Sequence, residues 1–122
     1  MQHLVRGLRD AGVPLLAGTD DMVQSRLPGF AMKDERVQLT ESGLTPFETL
    51  QSATSNPARF LGIDARMIEP GRVADLILLD ANPLNDPSNV FRQAGVGLHD
   101  GWLTEDVLQD QLQALANDAL RP

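Results

Sequence analysis

One aspartate stands where it could handle a proton. Asp20 follows the apolar run Val13-Pro14-Leu15-Leu16-Ala17-Gly18, with Thr19 between. The run does not alternate, so it reads as a strand buried on both faces, as in parallel sheets. Pro14 has no N–H for a ladder and fits only the first residues of such a strand. In parallel α/β barrels the loops at the C-terminal strand ends converge on one mouth and carry the catalytic groups. A carboxylate placed there can bind a divalent metal and accept a proton from metal-bound water. The local alternative is that Asp20 or Asp21 caps the turn that follows, as Asp often does after a strand.

Other polar residues offer less. The chain has two histidines, His3 and His99, and no His-x-His pair. His3 falls on a helix ahead of the apolar run and His99 abuts an Asp-Gly turn; a lone His away from other ligands is usually structural or solvated. Ser42, Ser52 and Ser55 have no His to act as their base. Gly95-Val96-Gly97 is not followed by the helix that a phosphate-binding loop needs. Asp75 is expected to tune a strand edge or turn, Asn56 to cap a helix, Arg59 to serve the surface or packing, and Trp102 to anchor a core. The polar loop from Met22 to Met32 is expected to line one side of the mouth, with Arg26 as its substrate contact.

The elements that must position Asp20 are written in the punctuation. Met1, Leu4, Val5 and Leu8 recur at helical spacing up to a stop at Gly12. No N-cap residue precedes them, so the chain is expected to start inside this helix. Met32 to Ser42 predicts a helix stopped at Gly43. Thr45-Pro46-Phe47-Glu48 predicts a helix start, with Thr45 as cap, Pro46 at the first position and Glu48 closing a capping box. Phe47, Leu50 and Ala53 then share a face. Asn56-Pro57 repeats the device, with Asn56 capping and Phe60 and Leu61 buried before a stop at Gly62. Beyond residue 64 the texture changes. Pro70-Gly71 is a turn, Val73 to Leu79 a strand, Asn82-Pro83 and Asp86-Pro87 mark a loop, and Phe91 to Leu98 is a second strand. His99-Asp100-Gly101-Trp102 predicts a hairpin turning on Asp-Gly. Thr104 caps a last helix with the stripe Leu108, Leu112, Leu115 and Ala119.

This order gives an α/β fold. A buried strand followed by helices is the closing unit of a parallel array, and the later hairpin is a separate antiparallel piece. The 122 residues are 42% hydrophobic and 22% charged, an ordinary globular composition. No apolar run is long enough to span a bilayer. A net charge of −7 without a basic stretch argues against a nucleic-acid surface. The absence of cysteine excludes disulfides and thiolate metal sites. Residues 1–10 lack a signal-type apolar core, and a cytoplasmic address is the expectation.

Three stretches together resemble the C-terminal third of the amidohydrolase superfamily, particularly its imidazolonepropionase-like and prolidase-like members. They are Ala11 to Asp20; Gly43-Leu44-Thr45-Pro46-Phe47-Glu48 running into Ser52 to Arg59; and Ile68 to Asp80 followed by Asn82-Pro83-Leu84. The likeness covers most of the chain and thins after about residue 90. It implies a (β/α)₈ TIM-like barrel with one or two divalent metals, usually zinc, held by histidines and by an Asp at the end of the eighth strand. Asp20 matches that Asp. By implication it binds the metal, takes a proton from the attacking water and returns it to the leaving group; the metal brings the water's pKa to about 7. The strand from Val73 and the hairpin would belong to a small β-sandwich built from both ends of the family's chain.

The expected organisation is therefore residues 1–64 as the last strand and helices of a truncated barrel, and residues 65–122 as a partial β-sandwich with a C-terminal helix. The expected activity is hydrolysis of a C–N bond in a small amide, cyclic amide or dipeptide. One carboxylate falls short of the three or four ligands a zinc site needs, so no metal and no turnover are expected of this chain alone. A lone parallel strand would leave peptide groups unpaired on both edges, so the chain is expected to need the missing barrel portion or to self-associate. The alternatives are a non-catalytic relict or split-gene folding and dimerising module, or a small binding protein using the surface near Asp20 and Arg26.

Overall fold

The structure, a computed structural model, describes residues 2–20, 29–65, 67–99 and 101–119. Helices come first: α1 (Gln2–Asp10), α2 (Ala31–Glu41), α3 (Pro46–Ala53) and α4 (Ser55–Leu61). Then follow β1 (Leu76–Leu79), a 3-10 helix (Pro87–Phe91), β2 (Gln93–Leu98), β3 (Gly101–Thr104) and α5 (Glu105–Ala119).

The helix ends obey the sequence. At the end of α2, Leu44 N–H reaches back to Leu39 O at 3.2 Å and Gly43 N–H to Thr40 O at 2.9 Å. This pair of bonds satisfies carbonyls that have no partner within the helix, and it requires a left-handed residue. Gly43 supplies it at φ 99°. The ends of α1 and α4 close the same way at Gly12 and Gly62. α3 opens with the expected capping box: Glu48 N–H donates to Thr45 Oγ1 at 3.2 Å, and Thr45 N–H donates to Glu48 Oε2 at 2.7 Å.

The break between α3 and α4 departs from expectation. Thr54, at φ −132° and ψ −87°, is the N-cap of α4, and no side chain caps it. Asn56 lies inside that helix, and its amide is engaged elsewhere. Thr54 instead closes α3, its Oγ1 donating to Leu50 O at 2.7 Å and its N–H to Gln51 O at 3.3 Å. Phe60 and Leu61, expected to be buried, are 76% and 64% exposed. They sit on a face of α4 against which no described element packs.

Residues 13–18 do not form a strand. A parallel ladder needs a neighbour, and no described strand lies beside this segment. It is held from one side by the helices.

The three strands make one antiparallel sheet in the order β1-β2-β3. β1 begins at Leu76, three residues later than expected, because Val73 N–H is taken by Asp64 O at 3.2 Å in the turn before it. β2 begins at Gln93 because Asp86 and Pro87 start the 3-10 helix, with Asp86 Oδ1 accepting from Ser88 N–H at 2.8 Å. Leu98 pairs with Gly101, so His99 and Asp100 connect the strands rather than Asp100 and Gly101. His99 takes the left-handed position at φ 53°, and its N–H donates to Asp75 Oδ1 at 3.2 Å. Asp75 thus serves the turn, as expected. Asp100 itself lies outside the described residues.

In the register Leu76–Gly97–Trp102, cross-strand partners share a face with Leu78 and Gly95. Trp102 lies across Gly95 and Gly97, but 52% of it stays exposed, so it is an anchor for the sheet face and not a core residue. α5 packs back on β2 and β3. Thr104 Oγ1 accepts from Val107 N–H at 3.5 Å as its cap. Within the expected stripe Leu108 is partly buried, while Leu112 and Leu115 are exposed. Among the described residues the buried apolar ones are Ala31, Leu39, Leu44, Ala58 and Val90, so this core runs through α2 and α4 to the 3-10 helix.

Candidate active-site segment

Asp20 ends the segment that follows α1. Two hydrogen bonds tie this segment to residues on either side of the α3–α4 break. α3 ends at Ala53, so the Ser52 carbonyl has no helical N–H to accept from; it takes Ala17 N–H at 2.9 Å. Asn56 Nδ2 donates to Leu15 O at 3.0 Å. Ser52 is fully buried, its Oγ donating to Thr49 O at 2.7 Å. The serine is therefore a structural post, with its hydroxyl committed to its own helix. The stretch from Ser52 to Pro57, read in sequence as helix caps, works as a bracket for the residues leading to Asp20.

Asp20 itself is exposed and stands at φ 48°. Among the described residues only Asp20 and His99 are non-glycine residues in the left-handed region. Asp tolerates that region better than most residues, and side chains held there often belong to functional sites. Asp21 and Arg26, the other residues expected at the mouth, lie outside the described residues.

A metal would need three or four ligands in fixed geometry. Among the described residues no three His, Asp or Glu side chains converge. The described residues therefore do not fit a metal on their own: Asp20 offers one carboxylate. A cavity of about 250 Å³ borders this segment, away from Asp20. It opens at the other end, lined by Arg9, Val13, Leu15, Glu48, Asn56 and Arg59 among others. Its polar groups are largely committed to structure. Arg9 Nη1 donates to Gly43 O and, with Arg6 outside the cavity donating from Nε to Ser42 O at 3.3 Å, brings positive charge to the C-terminus of α2. Glu48 holds the capping box, and its carboxyl sits below the ordinary glutamate range chiefly because Thr45 N–H stabilises the charged form.

The profile described as the amidohydrolase family matches residues 1–101. The chain belongs to the amidohydrolase family. An adenine deaminase from Desulforamulus reducens is 32% identical over 81 residues, 65% of this chain and 14% of that protein. Among solved structures, a Xaa-Pro dipeptidase with methionine bound in its active site superposes with a TM-score of 0.74 at 28% identity, over 84% of this chain and 25% of the other. A putative prolidase from Bifidobacterium longum gives 0.71 at 30% identity, over 89% and 30%. The likeness seen in the Ala11–Asp20, Gly43–Arg59 and Ile68–Leu84 stretches is thus a family relationship. This amidohydrolase-family chain spans 14% of the length of that adenine deaminase and about a quarter of the solved relatives. Its helices and small antiparallel sheet are similar to those of amidohydrolase structures.

Two features were not foreseen from sequence. Asn56 carries an N-cap signature, so its reach to Leu15, 41 positions away, is invisible without the fold. Arg36, which no sequence motif singles out, is buried.

Proposed function

We propose that this chain is the part of an amidohydrolase that brings one catalytic carboxylate, Asp20, to a site hydrolysing C–N bonds of small amides, cyclic amides or dipeptides. In this reading residues 1–64 are the last strand position and helices of a (β/α)₈ barrel, and residues 65–122 are part of a β-sandwich. The observation that carries it is the family match across residues 1–101, with Asp20 at the end of a segment pinned by Ser52 and Asn56. The residue's part is to accept a proton from the attacking water and return it to the leaving nitrogen, work that needs a titratable carboxylate. Arg26 is assigned to the substrate. The divalent metal implied by the resemblance would need ligands besides Asp20.

Surface area supports the reading. The chain exposes 9119 Å². A compact protein of 13.3 kDa exposes roughly 6,500 Å². The excess, about 2,600 Å² on this chain alone, is larger than the roughly 800 Å² per partner of a standard interface. Residues 13–18 and the open edge of β1 are natural places for further strands to cover.

The test is Asp20→Asn in the complete enzyme. The amide can neither take the proton nor carry the charge, so kcat falls by several orders of magnitude while the circular dichroism spectrum is unchanged. Turnover at the parent level by the variant would defeat the assignment. The exposed β1 edge favours a second reading, a dimerising module without catalysis. Hydrolysis by an assembly containing this chain, abolished by Asp20→Asn, separates the two.

A further inference from the structure

Arg36, on α2, is only 8% exposed, and its Nε and Nη2 atoms reach neither solvent nor any hydrogen-bond acceptor. Those two nitrogens share one edge of the planar guanidinium, the edge whose parallel N–H groups meet the two oxygens of a carboxylate. Nearby groups do not fill it. Thr40 Oγ1 gives its hydrogen to the Arg36 backbone carbonyl at 3.0 Å. The ring of Phe91, its centre 5.9 Å from the guanidinium carbon, offers a π face and no in-plane acceptor. Lys33 Nζ lies 5.4 Å from the centre of the same ring. Two cations thus converge on one ring where α2 meets the 3-10 helix, and the ion pairs of the described residues involve Arg9 and Arg72 instead. Burial holds the Arg36 pKa below the ordinary arginine range, but a guanidinium keeps its proton at neutral pH, so a buried positive charge remains uncompensated.

We propose that the Nε–Nη2 edge of Arg36 is a seat for a carboxylate. The carboxylate belongs to a free small acid or to an Asp or Glu side chain of a second copy of the chain. The edge is sealed as it stands, so occupation requires the side chains that cover it to move. The site is independent of Asp20 and of the hydrolytic reading.

The test follows the Arg36 Nε–H resonance of the ¹⁵N-labelled full chain, assigned by its loss in Arg36→Lys. Acetate is titrated at constant ionic strength into dilute protein, with sodium chloride as the matched control, and a protein dilution series is run without acetate. A saturable shift with acetate identifies a free acid as the source. A shift with protein concentration, reversed by acetate, identifies a second copy. In Arg36→Lys the acetate-induced amide shifts along α2 should need about tenfold more acetate, and in Arg36→Met they should vanish. A resonance that responds equally to chloride, or to neither acetate nor protein concentration, overturns the proposal. So does a response of full size in Arg36→Met.

Discussion

Asn56 Nδ2 donates to the carbonyl of Leu15 at 3.0 Å, joining α4 to the segment that ends in Asp20. Replacing Asn56 with Ala leaves that part-buried carbonyl without its partner. The expected loss is about 1–3 kcal/mol, the cost of an orphaned polar group. Urea denaturation of the chain checks it, and an unchanged midpoint would show that the bond contributes nothing.

Stability should decline in acid partly through Glu48. Its folded-state pKa lies below the usual glutamate value because Thr45 N–H, and then the Thr45 hydroxyl, bind the charged form. A depressed folded pKa means this contribution is complete above the unfolded value, about 4.3, and drains away as pH falls through the folded one. Glu48→Gln keeps an acceptor but cannot titrate. Melting temperatures measured from neutral pH downward should fall less steeply in the variant once the pH drops below about 5.

Gly43→Ala is expected to cost about 1–2 kcal/mol through its left-handed conformation. The new Cβ would also sit 3.2 Å from both Arg6 Nε and Arg9 Nη1, disturbing the cations that serve the end of α2. Calorimetry should record a drop of a few degrees or more in melting temperature.

Gly95→Ala strikes the sheet. A Cβ there would lie 2.3 Å from Trp102 Cζ2, and Leu103 O is 3.1 Å away on the backbone side. The indole must leave its glycine floor. Trp102 is the chain's single tryptophan, so its emission should shift to the red, with a stability loss of about 1–3 kcal/mol. Emission identical to the parent would mean that the ring does not rest on Gly95.

Local chemistry was legible in the sequence. The capping box at Thr45 and Glu48 and the stops at Gly12, Gly43 and Gly62 depend on neighbours within a few residues, and each appears where the residue types put it. Contacts across the chain were not legible. An apolar run such as residues 13–18 signals burial, but a strand also needs a partner, which no run encodes. Asn56-Pro57 fits a cap by type; its amide is drawn away by a carbonyl far off in sequence. Phe60 and Leu61 are apolar enough for a core, yet the described elements leave them uncovered. Of the candidate site, the position of Asp20 after an apolar segment was readable, while the bracket that holds it required the fold.

Among the described residues β1 hydrogen-bonds to β2 along one margin only, and its Ile77 and Leu78 are exposed on opposite faces. A copy that pairs with the other margin would extend the ladder, and unless its own margin is spent in doing so, growth has no built-in stop. Solubility would then depend on how soon that margin is covered after synthesis, more than on how firmly the helices fold.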